Sequence, residues 1–489
     1  MAAAHTIPEL FDRALARDPD KDWLLYEDER FTYAEAAARI GAIAAALAGE
    51  GVGKGDRVLA TARNEPAYLF CWLAVVRLGA IFVPANPNGS AQELDGLAAQ
   101  TEPRLIVGDA DARELAAAPA ADPPPAAAEP GDPAVLIPTS GTTGRSKLVT
   151  QTHRAYAWAG EGFPYWMRLT AEDRLMTSLP LFHINAPAYS ILGSVGAGAS
   201  IALLPRFSGS GFLDSARRHG ATEFNAIGAM LEILMSQPER PDDADSPLRL
   251  CYTGPSPARE RQLEIEERFG LEIVCGYGLS ESPYALIWPH GQRPYGTLGT
   301  VRQHPTLGTV NEARVIDDGR AVAPGEVGEL QLRNPTLMLG YWGMPEESAE
   351  VLVDGWLRTG DLVRREPDGN FTFVTRIKEV IRRRGENLAP AEVEAALEQH
   401  PEVAEAAVVG VPSELTEEEV KAFVVPRPES AVAPGELREF AAGRLTRFKV
   451  PRYLELVDEL PHTPTGRVAK HRLPAGLTGN EWDAEEERG

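Results

Sequence analysis

Short apolar runs alternate with stretches of helical periodicity through the first 280 residues. That alternation confines the chain to α/β layers with largely parallel sheets. The strand-like runs fall at 57–60, 80–84, 105–107, 175–178, 200–204, 248–253 and 272–274. Between them, residues 31–50 carry apolar side chains at helical spacing, with Thr32 as N-cap and Gly51 just past the end, and 66–78 reads as a further helix. The Ala/Pro-rich stretch 110–133 predicts a mobile surface loop. From about 295 to 374 the pattern changes to short β-runs separated by Gly and Pro, which predicts an antiparallel subdomain. TLGTV occurs at 297–301 and again at 306–310, a repeat short enough to mean similar turns. Pro390 suits the first position of a helix over 390–399, followed by strands at 404–410 and 420–426. A charged stretch precedes it, so the domain boundary is placed near 374–378, giving domains 1–374 and 375–489.

Composition narrows the function classes. The 489 residues are 44% hydrophobic and 24% charged, which excludes a wholly disordered chain. Forty-eight basic residues against 71 acidic give a net charge of −23, which repels nucleic-acid backbones and anionic membranes. Cys71, Cys251 and Cys275 form no CxxC pair, so neither a disulfide framework nor a structural zinc site is expected. No signal peptide and no apolar run of about 20 residues is visible, so the expected location is the cytoplasm. Lysine occupies only seven positions, and the other 41 basic residues are arginine. A lysine kept inside a Gly-rich motif is then a hint of chemistry.

The densest such motif is Thr139-Ser140-Gly141-Thr142-Thr143-Gly144-Arg145-Ser146-Lys147, directly after the apolar run AVLIP. Small hydroxyl residues and glycines let backbone N–H groups close around phosphate oxygens, and the lysine adds a point charge. Its spacing is not that of a Walker loop, and Leu148 stands where such a loop carries Ser or Thr for magnesium. Taken alone, the stretch also fits a flexible turn. In Tyr277-Gly278-Leu279-Ser280-Glu281 a ring can stack on a base, a hydroxyl can bond phosphate, and a carboxylate can ligate a hard cation. Taken alone, that stretch also fits a strand-to-helix turn capped by Ser280, with Glu281 in the first helical turn.

Together the motifs resemble the adenylate-forming superfamily, which includes acyl-CoA synthetases, nonribosomal adenylation domains and firefly luciferase. Thr139 to Lys147 is similar to its phosphate-binding signature. Pro180-Leu181-Phe182-His183, Gly276 to Glu281, Gly355 to Asp361, Arg376-Ile377-Lys378-Glu379, Arg384-Gly385-Glu386-Asn387 and Pro464-Thr465-Gly466-Arg467 follow in the family's order. The 228–234 stretch GAMLEIL and the RRRGEN run look closest to the acyl-CoA ligase branch, including its carnitine/crotonobetaine-CoA ligase-like members.

The resemblance implies an α/β fold: a large N-terminal domain of two α/β sheet subdomains plus a β-barrel, then a small mobile α+β C-terminal domain hinged near 376–378. It implies ATP-dependent activation of a small carboxylic acid to an acyl-adenylate, with pyrophosphate released, then transfer to CoA with release of AMP. Thr139, Ser140, Gly141, Thr142, Thr143, Gly144 and Lys147 would hold phosphates. Gly254, Tyr277, Gly278 and Ser280 would hold the nucleotide, Asp361 and Arg376 its ribose, and Gly385 would belong to a loop of the second half-reaction. Glu281 and Thr142 would serve Mg²⁺, His183 would gate the acid pocket, and Arg467 and Lys470 would serve adenylation. The family carries lysine where Arg467 stands. In a chain so poor in lysine, Lys470 is the expected reacting cation, with direct replacement by Arg467 the opposing reading. No carrier segment with a serine attachment motif follows residue 470, so free CoA is the expected acceptor and the protein a monomer or homodimer. Two other readings share these motifs. One is an adenylating enzyme with another acceptor, such as a carrier protein in trans, an amine or nitrite; the other is a catalytically weak nucleotide-binding paralogue.

Overall fold

The computed structural model describes residues 3–121, 123–139, 146–254, 256–383, 386–413, 418–463 and 468–485. The chain divides into two compact units, residues 1–313 with 331–358 and residues 314–330 with 359–489.

The large unit holds two α/β sheets. Six strands run in the order Gly340–Tyr341, Lys147–Thr152, Pro133–Thr139, Ile81–Pro84, Arg57–Ala60 and Leu105–Val107. Nine run in the order Thr300–Val301, Ser282–Ile287, Glu272–Leu279, Leu250–Thr253, Glu223–Asn225, Arg174–Thr177, Ser200–Leu203, Asp22–Tyr26 and Glu29–Thr32. The middle of the larger sheet is parallel, and its strands are almost wholly buried, as sheets covered on both faces require. Helix Tyr33–Gly49 starts as expected. The Thr32 hydroxyl accepts from the Glu35 N–H at 3.1 Å, and the Glu35 carboxylate accepts from the Thr32 N–H at 2.8 Å, a reciprocal cap.

Two expectations for this unit need correction. The stretch expected as loop from 110 onward opens with helix Asp109–Ala116. Asp111 accepts from the Gly108 N–H at 2.8 Å, acids fill the first turn and Ala112 is buried, while the prolines that suggested a loop lie further on. The strand expected at 272–274 extends to Leu279, because it gains an antiparallel partner after its parallel one ends.

Strands Arg320–Ala321, Glu312–Asp317, Val327–Arg333 and Trp356–Arg365 are neighbours in that order, and Phe371–Arg376 also pairs with Trp356–Arg365. Among the described residues they form an open sheet, with no pairing that closes the expected barrel. The small unit continues with the hairpin Ile381–Arg383/Glu386–Leu388 and a sheet ordered Val403–Pro412, Glu418–Pro426, Tyr453–Leu456, Trp482–Asp483. Helices Pro390–Glu398 and Pro434–Ala442 bury Val393, Leu397 and Leu437 with Val408, Val420 and Leu454 of that sheet. All three cysteines are buried and free. No helix among the described residues is long and apolar enough to cross a membrane.

Candidate active site

Strand Leu250–Thr253 runs parallel to Glu272–Leu279 as far as Thr253↔Cys275. Beyond Cys275 the longer strand pairs antiparallel with Ser282–Ile287, and the hairpin closes at Leu279↔Ser282. Ser280 and Glu281 are therefore the two residues of a β-turn, not the start of a helix. The following run, Ser282–Ile287, is buried at every position and carries no helical periodicity. The turn's peptide groups find outside partners. Gln151 Nε2 donates to the Ser280 carbonyl at 2.7 Å, and the Met338 N–H donates to the Glu281 carbonyl at 2.9 Å.

Antiparallel pairing sets Tyr341 opposite Val149, on the strand that begins with Lys147. From there the Tyr341 hydroxyl donates to Glu281 Oε1 at 3.0 Å. Burial, with the Glu281 carboxylate adding to it, pushes the Tyr341 phenol above its ordinary range, so it remains a donor. The Lys147 ammonium lies 4.6 Å from the centroid of the same ring, a cation–π contact. Lys147, Tyr341 and Glu281 thus stand in a row. Thr139 is the register partner of Lys147, and its hydroxyl donates to the Lys147 carbonyl at 3.1 Å. Ser140, Gly141, Thr142, Thr143 and Gly144 lie outside the described residues.

Two of the expected nucleotide-site glycines are fixed by close approach. A Cβ on Gly254 would stand 2.5 Å from the Gly276 carbonyl oxygen, and one on Gly278 would stand 2.8 Å from the Tyr189 hydroxyl. Tyr277 is half-buried beside Gly278. Burial pushes the Cys275 thiol up to about 12, with a hydrogen bond from Ser256 opposing, so no thiolate nucleophile arises there. No group of three or more His, Cys, Asp or Glu among the described residues could cage a metal. Glu281 as a single half-buried carboxylate still fits Mg²⁺, which usually takes one or two carboxylates plus substrate phosphates.

His183 follows Phe182, whose ring lies 4.5 Å from its own, centroid to centroid. Both line a small apolar cleft with Trp72, Phe82, Tyr156 and Leu181. Two residues on, the Asn185 side-chain oxygen accepts from Asn225 Nδ2 at 2.7 Å.

In the small unit, Asp361 is the cross-strand partner of Arg376, and Arg376 Nε lies 3.2 Å from Asp361 Oδ1. Asp361 is buried, and its N–H donates to the Thr359 hydroxyl at 3.1 Å. The two residues expected at a ribose are thereby brought side by side. Lys378 is exposed in the 3₁₀ turn Ile377–Glu379. Lys470 opens a second such turn, Lys470–Arg472, with its ammonium 2.6 Å from Glu394 Oε1. Gly385 and Arg467 lie outside the described residues. Tyr341, Gln151 and Glu394 were not singled out from sequence. The flanking glycines of Gly340-Tyr341-Trp342-Gly343 were the one available signal for Tyr341.

Residues 11–342 match the AMP-binding enzyme family, and residues 392–467 match the AMP-binding enzyme C-terminal domain. The indoleacetate–CoA ligase of Aromatoleum aromaticum is 33% identical, over 95% of this chain and 96% of the relative. The sulfoacetate–CoA ligase of Cupriavidus necator is also 33% identical, over 96% and 99%. Among solved structures, ATP-bound MatB from Rhodopseudomonas palustris superposes with a TM-score of 0.87 at 27% identity, over 95% of this chain and 97% of that one. The o-succinylbenzoate CoA synthetase of Bacillus subtilis with its acyl-adenylate gives 0.85 at 27% identity, with the same coverage of each chain. The chain belongs to the AMP-binding enzyme family.

Proposed function

We propose that this chain is an AMP-forming acid–thiol ligase of the acyl-CoA synthetase type. A substrate carboxylate attacks the α-phosphate of ATP, the acyl–phosphate bond forms and pyrophosphate leaves. The CoA thiol then attacks the acyl carbonyl, the thioester forms and AMP leaves. The observation that carries this reading is the row Lys147–Tyr341–Glu281 in a chain whose relatives are CoA ligases over nearly their full length. Negative charge develops on phosphoryl and carbonyl oxygens in both steps, so positioned cations and backbone donors are the catalysts required.

In this reading Lys147 and the residues from Thr139 to Gly144 hold phosphate oxygens. Tyr277 stacks on adenine against the flat edge at Gly254 and Gly278, Ser280 donates to phosphate, and Asp361 with Arg376 takes the ribose hydroxyls. Glu281 and Thr142 would hold Mg²⁺, which when bound neutralises triphosphate charge. His183 gates the acid, and the aromatic lining around it favours an acid with an apolar body. The Arg467–Lys470 stretch serves adenylation, Gly385 the thiol step, and residues 375–489 pivot near 376–378. Acid-dependent ATP–pyrophosphate exchange over a panel of arylacetates, alkanoates and sulfonated acids, followed by product analysis with CoA, tests the function. Exchange with no acid would overturn it, as would an adenylate that CoA never accepts.

A further inference from the structure

We infer that Lys470 is a positioning residue, its ammonium held in an ion-pair bridge between Glu394 of helix Pro390–Glu398 and Glu379 of the turn Ile377–Glu379. The inference rests on the function proposed above and assigns Lys470 away from the reacting phosphate.

The bridge is built from three separate segments of the small unit. Lys470 Nζ lies 2.6 Å from Glu394 Oε1 and 3.8 Å from Glu379 Oε2. The short contact is sheltered: the Lys470 side chain is 20% exposed and that of Glu394 16%. Glu394 Oε1 also accepts the Val408 N–H at 2.7 Å, which ties the pair to strand Val403–Pro412. Burial pushes the Glu394 carboxyl up, and Lys470 is the main group holding it ionised. Withdrawing the ammonium would leave a buried carboxylate without its counter-charge. All these residues belong to one compact unit, so a rigid-body movement of that unit carries the pair along unbroken.

Further contacts hold the chain that leads into Lys470. His462 bridges Val468, the Ala469 N–H donates to the Pro461 carbonyl at 2.6 Å, and the His462 ring meets Glu405 Oε1 at 2.9 Å. Lys470 is the last anchor of this clamp, and Glu379 connects it to the residue next to Lys378. The ammonium therefore acts through the backbone it holds and through the 377–379 turn.

The test compares full-length wild type with Glu394→Gln, Lys470→Met, the double variant and Lys470→Arg. Adenylate formation and thioester formation from pre-made acyl-adenylate are measured separately, together with thermal midpoints. A positioning role gives Glu394→Gln and Lys470→Met matching losses of roughly tenfold to a hundredfold in adenylation, and a double variant no worse than either. Lys470→Arg, which can span both carboxylates, stays within about threefold of wild type. Inert Glu394→Gln alongside Lys470→Met and Lys470→Arg both crippled in adenylation would make Lys470 the reacting cation and overturn the proposal. Equal slowing of both half-reactions, in step with a fall in thermal midpoint, would reduce the pair to scaffold and also overturn it. Labelling of lysine amines, read by mass spectrometry, decides the pairing independently of activity. Lys470 in wild type should label at least fivefold more slowly than exposed Lys378, and Glu394→Gln should erase the difference. Labelling of Lys470 as fast as Lys378 overturns the bridge. Absence of any acid-dependent exchange in wild type instead overturns the functional reading, with the labelling result unaffected.

Discussion

Lys147 in the large unit and Lys470 in the small one carry the same charge in a chain with seven lysines, yet their surroundings are opposite. Lys147 is half-buried over the face of Tyr341. Lys470 is clamped on a sheltered carboxylate at 2.6 Å. An ammonium held by a ring can be taken up by an arriving phosphate with little broken. One already neutralised by a buried carboxylate cannot move without leaving that carboxylate unpaired. Rarity in the sequence marks both lysines as engaged, but only the surroundings separate engagement with a substrate from engagement with the fold.

Lys421 is the extreme of the second kind and gives the largest expected effect. Its side chain is fully buried, 2.7 Å from Glu455 Oε2 and 3.0 Å from Glu481 Oε2. Lys421→Met leaves two carboxylates facing each other, and breaking a buried pair from one side costs about 3–5 kcal/mol. Urea unfolding at pH 7 should show a loss of that size. An unmoved midpoint would put Lys421 with the loosely held lysines and break the contrast.

Next come Lys147→Ala and Glu281→Ala. Each removes one electrostatic contact to the triphosphate or its metal, and each should lower adenylate formation about 10²–10³-fold. The contrast adds a second requirement, that thermal midpoints stay close to wild type, because both residues are only half-buried. Near-normal pyrophosphate exchange in both variants would remove the nucleotide site from this edge.

A buried group whose burial outweighs the nearby opposite charge supplies a third test. His153, at the start of helix His153–Met167, is fully buried, and burial pushes its imidazole down to about 4, with Asp132 opposing. An unfolded histidine titrates near 6.5. Because the folded value is the lower one, the unfolded chain takes up a proton first as pH falls. Stability is therefore complete above about 6.5 and is lost progressively down to about 4. Between pH 7 and pH 5 the loss from this one group is about 2 kcal/mol. His153→Leu should abolish that increment, read as the difference in urea midpoints at the two pH values. An unchanged pH dependence would mean that the ring titrates alike in the folded and unfolded chain, so that burial does not shift it.

How much was legible beforehand follows the same division between local and distant causes. The N-cap at Thr32, the strand Arg57–Ala60 and the proline-led helix at Pro390 are local effects that the sequence showed, while the return bond from Glu35 was read only in the structure. The stretch from Tyr277 to Glu281, taken alone, suited a helix start capped by Ser280, whereas the structure makes it a hairpin turn. The buried pairing of Ser282–Ile287 decides between them. The roles of Tyr341 and Glu394 could not be read from sequence because each gains its partner across long sequence separation: Glu281 lies 60 residues before Tyr341. The open antiparallel sheet, expected as a barrel, depends likewise on edge pairings that no single strand records.

The smallest expected effect probes the hydroxyl that links the two charges of the large-unit row. Tyr341→Phe keeps the ring beneath Lys147 and deletes only the donor to Glu281 Oε1. The lost hydrogen bond has a charged acceptor but lies in a half-buried site, so about 1 kcal/mol is expected, roughly a fivefold fall in kcat/KM for Mg·ATP. Tyr341→Leu removes the ring as well and should cost more, because Lys147 then loses its cation–π contact along with the donor. If Glu281 needs the hydroxyl to hold its carboxylate toward the metal, the Phe variant should also need more Mg²⁺ for half-maximal rate while the acid KM stays fixed. Equal kinetics for wild type and Phe, with Leu alone impaired, would show that the ring serves Lys147 and that the bond to Glu281 does nothing for the nucleotide.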